Sequence, residues 1–189
     1  MRLIAIIMIA SLLAAGCISG EARHDIKGDG TDNMEVELYK EGLLAGMDCY
    51  QFKDFLRSAG ENLTQDEMQK IEDLECTETA ASLLLKGTAR PGEEGSPVSI
   101  VKKDGKEYLR YEEDATLIPV VVKMPTPVTG TNGQKIDEKT VRFAPVGMDA
   151  FGRGGVPEKN YVESEKPLCP VGLALAALLG GVFLKVQCM

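Results

Sequence analysis

Hydrophobic positions fall into two continuous runs at the ends of the chain and a set of short periodic patches between them. Leu3 to Ala15 and Leu168 to Leu184 contain no Lys, Arg, Asp or Glu. In the interior, Phe52, Phe55, Leu56 and Ala59 recur at i, i+3, i+4 and i+7, which predicts a helix over residues 48–59 closed by Gly60. Thr64 followed by Glu67 has the capping-box pattern of a second helix, with Met68, Ile71 and Leu74 on its apolar stripe. Two helices so closely connected pack antiparallel. Ala80 to Lys86 reads as a further helical turn or two, ended by Gly87. After the break at Arg90-Pro91-Gly92 the pattern becomes that of strands. Val98, Ile100 and Val101 lead into Asp104-Gly105, and Tyr108, Leu109 and Tyr111 follow, a hairpin with an Asp-Gly turn. Leu117 to Val122 reads as a buried strand that Pro119 pushes towards an edge or a bulge. Asn132-Gly133 reads as a second turn, leading to Thr140-Val141-Arg142-Phe143.

The predicted fold class is therefore α+β: a helical hairpin plus a small antiparallel sheet, followed by a C-terminal transmembrane helix. The boundaries are a signal peptide over 1–16, a polar stalk over 17–33, and an exported domain over 34–150 with its helical part at 34–87 and its sheet part at 96–146. A linker over 151–167 and a transmembrane helix or sorting tail over 168–185 complete the chain. A middle region of this size forms one core. With aromatics at 5% that core is aliphatic.

The amino end has the parts of an export signal: Arg2, an apolar run through Leu13, and the small residues Ala14, Ala15 and Gly16. As a helix, Leu3 to Ala15 covers only about 20 Å of a hydrocarbon core about 30 Å thick. The string Leu13-Ala14-Ala15-Gly16-Cys17 resembles the lipobox of prokaryotic lipoprotein precursors, with Ala14 standing where that family most often has Leu. The resemblance covers this targeting segment only. It implies that Cys17 becomes the first residue of the mature chain and carries lipid on its sulfur. The same residues also fit an ordinary signal cut after small residues, or an uncut anchor.

At the other end, Leu168 to Leu184 makes about 26 Å of helix, with Lys185 able to snorkel. Gly172, Ala176 and Gly180 recur at four-residue spacing, a face on which two membrane helices can approach as a homodimer or with a partner. The plainer reading is that Ala and Gly only make the segment weakly apolar. Arg2 and Lys185 both point inwards by the positive-inside rule, which leaves the middle region outside.

Composition sharpens this picture. The net charge is −8; 19 of the 21 basic and all 29 acidic residues lie between Glu21 and Lys166, giving that region −10. Such a surface disfavours nucleic acid and anionic lipid as partners. Of the five cysteines, Cys17 is the lipid site, and Cys169 and Cys188 flank the apolar tail. Cys49 and Cys76 remain in the exported region, at the start of the first predicted helix and the end of the second, and an oxidising compartment favours their pairing. The other reading is two buried free thiols.

Candidate chemistry is sparse. Asn62-Leu63-Thr64 is a glycosylation triplet at Asn62 in the connection between the helices. Asp25, Asp29, Asp32, Asn33 and Glu35 stand beside Gly28 and Gly30, yet miss the spacing of a calcium loop, so a solvated stalk is the expectation. Glu67, Glu72, Asp73 and Glu75 form the wet face of the second helix. Gly152-Arg153-Gly154-Gly155 is linker, since no strand and helix flank it as they flank a phosphate loop. The sole histidine, His24, falls in the expected stalk, away from either thiol. No catalytic residue, metal ligand set or cofactor is indicated. The leading function is a membrane-anchored extracytoplasmic (cell-surface) protein, noncatalytic, in contact with membrane lipid and binding a protein partner or serving in envelope assembly. Two alternatives stay open: an extracytoplasmic enzyme such as a carboxylate-dependent hydrolase, and an accessory subunit of a membrane complex.

Overall fold

The computed structural model describes residues 19–59, 64–93, 95–116, 118–145 and 159–167. The chain opens with β1 (Gly20–Ile26) and β2 (Asp32–Tyr39), then a 3-10 turn at Gly42–Leu44, α1 (Cys49–Ala59) and α2 (Gln65–Glu72). β3 (Glu75–Glu78), β4 (Ser82–Ala89), β5 (Val98–Lys103), β6 (Lys106–Glu113) and β7 (Val120–Lys123) follow. β8 (Val128–Thr131), β9 (Gln134–Lys135), β10 (Thr140–Phe143) and β11 (Asn160–Glu165) end the described part. They build a seven-stranded sheet of order β3-β4-β2-β1-β7-β10-β9 and a four-stranded sheet of order β5-β6-β11-β8.

This overturns the expected helical hairpin plus small antiparallel sheet. The expected helical part, 34–87, contributes three strands, and the expected sheet part, 96–146, is divided between two sheets. Ala80 to Lys86 is the clearest reversal. Leu83-Leu84-Leu85 lies in β4, paired antiparallel with β2 through Leu85↔Val36 and Leu83↔Leu38. A short apolar run has no period of its own, so the partner strand decides its conformation. The expected stalk is also replaced: Gly20–Ile26 is an interior strand, antiparallel to β2 and parallel to β7. Asn160–Glu165, expected as linker, is interior to the four-stranded sheet, between β6 and β8.

Local signals that hold are those carried by a few adjacent residues. The helix expected over 48–59 is α1, with Phe52 and Leu56 buried. Its start is fixed by a reciprocal cap, in which Gln51 N–H donates to Asp48 Oδ1 at 2.8 Å and Asp48 N–H to Gln51 Oε1 at 3.0 Å. α2 begins just after Thr64 and buries Ile71, while Met68, expected on the same stripe, is 46% exposed. Asp104 (φ 50°) and Gly105 (φ 77°) make the turn between β5 and β6. Pro119 stands just before β7, so it removes no hydrogen bond from the interior of the sheet, and its carbonyl accepts from Ala22 N–H at 2.9 Å. Asn132-Gly133 does not close a hairpin; it joins β8 of one sheet to β9 of the other.

The two sheets and the helices share one core. Ala22, Ile26, Val36 and Leu38 from the seven-stranded sheet, Leu109, Tyr111 and Val162 from the four-stranded sheet, and Phe52, Leu56 and Ile71 from the helices belong to a single buried cluster. Each fully buried Leu or Phe contributes about 1.5–3 kcal/mol. The helices are fastened to the β3 side of the large sheet by a disulfide between Cys49 and Cys76, whose Cα atoms are 5.8 Å apart. Cys76 reaches it from β3, opposite Leu85, rather than from the end of a helix.

Among the described residues no helix is long and apolar enough to cross a membrane. The C-terminal segment 168–185, with Gly172, Ala176 and Gly180, lies outside the described residues. So do the signal segment 1–16, Cys17 and Asn62.

Candidate functional site

Alternation of inward and outward residues along β1 creates two chemically different surfaces from one strand. Ala22, His24 and Ile26 face the core; Glu21, Arg23 and Asp25 face outwards. On the outer side, the neighbouring strands β2, β4, β7 and β10 add Asn33, Glu35, Lys86, Lys123 and Thr140 to a shallow groove of about 830 Å³. The charges of this outer face, in the groove and beside it at Glu21 and Arg142, are interleaved. Arg23 Nε donates to Glu21 Oε1 at 2.8 Å, Arg142 Nη2 lies 3.5 Å from Glu21 Oε2, and Lys86 Nζ lies 3.5 Å from Glu35 Oε2. The bond to Glu21 makes the Arg23 guanidinium hold its proton more tightly than usual. These side chains are a third to a half exposed for the most part, so each pair contributes at most about 1 kcal/mol to the fold. They remain available to a polar partner that brings charges of both signs.

On the inner side of the same strand lies a polar cluster sealed between the sheets. His24 Nδ1 is 2.9 Å from Asp32 Oδ2, where the ring N–H donates to the carboxylate, and the two side chains are 2% and 1% exposed. The imidazole meets the Tyr111 ring edge-on at 5.0 Å between centroids. Tyr111 donates its hydroxyl to Glu113 Oε2, and that oxygen lies 3.9 Å from His24 Nε2. Burial, and then the carboxylates of Glu113 and Asp32, push the Tyr111 phenol well above its ordinary range, so it stays a neutral donor. Asp32 Oδ1 is buried without a hydrogen bond, an expensive position for a carboxylate oxygen unless a positive charge stands nearby.

The cluster brings together residues that the sequence reading separated. His24, expected in a solvated stalk, is a core residue, and Asp32, grouped with a failed calcium loop, is its partner. Asp29, from the same group, instead shapes the turn between β1 and β2: its carboxylate accepts from the Thr31 N–H at 2.9 Å and the Thr31 hydroxyl at 3.0 Å. Those bonds, the Thr31 N–H first, stabilise the carboxylate and hold its pKa below the ordinary carboxyl value. Two signals in the sequence point to this arrangement: the alternation Ala22, His24, Ile26, and Asp29-Gly30, the same dipeptide type that correctly marked the turn at Asp104-Gly105. Of the expected acidic helix face, Glu72 pairs with Arg57 and Asp73 accepts from Gln69, while Glu75 lies on β3 rather than on a helix.

Chemically, the sealed cluster offers no open position to a substrate. Among the described residues no three His, Cys, Asp or Glu side chains come together as a metal site. Of these two places, the groove is the one open to a ligand.

No protein-family model matches the sequence, and no curated protein does. Among solved structures, the chain is similar to the folded domain of the LppM protein of Mycobacterium tuberculosis, determined by NMR, with 15% identity, a TM-score of 0.42, and coverage of 82% of this chain and 92% of that one. That score is too low to carry fold or function across.

Proposed function

We propose that this chain is an exported, membrane-anchored surface protein without catalytic activity, which holds a polar partner in the groove on the outer face of the seven-stranded sheet. The observation that carries the proposal is the disulfide between Cys49 and Cys76. Such bonds form and persist in oxidising, extracytoplasmic compartments. Three further features support the reading. Leu13 to Cys17 has the lipobox pattern, which would place lipid on Cys17. The chain is acidic at −8, as suits a soluble surface domain that does not bind nucleic acid. The one His–Asp pair is sealed in the core, where it reaches no substrate. Membrane lipid is the partner at the anchor; a protein or other polar ligand carrying both charge signs is the partner at the groove.

The test is intact and peptide mass spectrometry of the membrane-extracted protein, with and without reductant. The expected mature chain starts at a lipid-modified Cys17 and contains joined Cys49 and Cys76. An unprocessed amino end with both of those thiols free overturns the proposal.

A further inference from the structure

The junction of the two sheets contains a balance of charge that depends on one proton. His24 sits on β1 and Asp32 on β2, both in the seven-stranded sheet, whereas Tyr111 and Glu113 come from β6 in the four-stranded sheet. Among the described residues, the titratable groups facing the imidazole include Asp32 from β2, and Tyr111 and Glu113 from β6; β1 and β7 present Ala22, Ile26 and Val122, all buried and apolar. Both acids are arranged as acceptors. Asp32 accepts from the ring at Nδ1, and Glu113 accepts from the Tyr111 hydroxyl. A protonated imidazole places a positive charge between two carboxylates from different sheets, and a neutral one removes it. The neutral ring would also turn the lone pair of Nε2 towards a carboxylate oxygen 3.9 Å away.

We propose that His24 is a proton latch between the sheets. As the imidazolium it binds Asp32 through Nδ1 and attracts Glu113 through Nε2, so that one proton ties the two sheets together. When that proton leaves from Nε2, on the side where Glu113 is 15% exposed, Nδ1 keeps its bond to Asp32 and the attraction across the junction is lost. Folding then raises the proton affinity of His24 above that of the unfolded chain. The latch is fully closed below the ordinary histidine value of about 6.5 and is released as pH rises through the higher value of the folded protein. A domain exposed outside the cell meets such changes directly, and its two sheets are held more tightly in mild acid than in mild alkali.

His24 is the only histidine of the chain, so a long-range ¹H–¹⁵N NMR spectrum of the full-length protein contains one imidazole, without need of assignment. The expected result is an imidazolium at neutral pH that loses its proton about one unit or more above the ordinary value, an effect of the size that a carboxylate at this distance exerts. Glu113→Gln lowers that titration point by about one unit. In parallel, the urea midpoint of the wild type falls between about pH 6 and about pH 9, and that of Glu113→Gln falls less. A neutral imidazole throughout this range overturns the proposal, as does a titration that Glu113→Gln leaves unmoved. The wild-type spectrum decides by itself if that variant does not fold.

Discussion

Removing the cross-link between Cys49 and Cys76 tests how the helices are held on the large sheet. The two cysteines are 27 residues apart in sequence, and the loop they close contains both helices. In the chain-entropy description, opening a loop of this length restores enough freedom to the unfolded chain to weaken folding by about 3.5 kcal/mol at 25 °C. The double substitution Cys49→Ala/Cys76→Ala is expected to lower the urea midpoint by about 1–2 M and the thermal midpoint by about 10 °C. Structure adds a spatial expectation to the magnitude. β3 is an edge strand with one neighbour, so without the bridge it depends mainly on its pairing with β4. Amide hydrogen exchange should rise first in β3 and α2, while β1 and β7, paired on both sides, keep their protection. A loss below about 1 kcal/mol refutes the assignment of the bridge as the main fastening of this segment. So does exchange that rises equally in β1 and β3, because the substitution would then act on the whole fold.

Three further outcomes follow from single side chains. Tyr111→Phe removes a buried donor to Glu113 and should cost about 1–3 kcal/mol at neutral pH; because burial raises the phenol's folded value, wild-type stability is complete below about pH 10 and falls above it, a decline that circular dichroism should find flattened in the variant. Gly20→Ala would place its Cβ 2.3 Å from the Glu37 carbonyl oxygen on the paired strand, so chemical denaturation should show a loss of about 1–3 kcal/mol, and an unchanged midpoint would show that β1 begins later than this. Asp29 has its folded value lowered by the Thr31 bonds, so its contribution is complete above the ordinary carboxyl value and is lost as pH falls from there through the lower folded value; Asp29→Asn should therefore reduce the acid-side slope of stability measured by urea titration.

By itself, the sequence determined the features whose causes lie within a few residues. α1 was legible because Phe52 and Leu56 share one helical face, and Asp48 and Gln51 cap its start. The turn between β5 and β6 was legible because Asp104 and Gly105 tolerate positive φ and most other pairs do not. The pairing of Cys49 with Cys76 was expected, because they are the two cysteines of the region read as exported. Tertiary structure decided the rest. Leu83 to Leu85 satisfy helix and strand equally until β2 offers a hydrogen-bonding edge on which they can be buried. Val128 and Val141 fall in different sheets because the chain crosses between layers at Asn132-Gly133, and alternation records which face a residue takes but not which sheet it joins. Asn160 to Glu165 looked like linker for the same reason: its alternation is carried by Val162 among polar residues, and only the gap between β6 and β8 makes it an interior strand. His24, expected in the stalk, has a separate cause. A histidine among Asp and Glu reads as solvated, and becomes a core residue only when a second sheet supplies Tyr111 and Glu113 to cover it, a contact between positions almost ninety residues apart that no local pattern encodes.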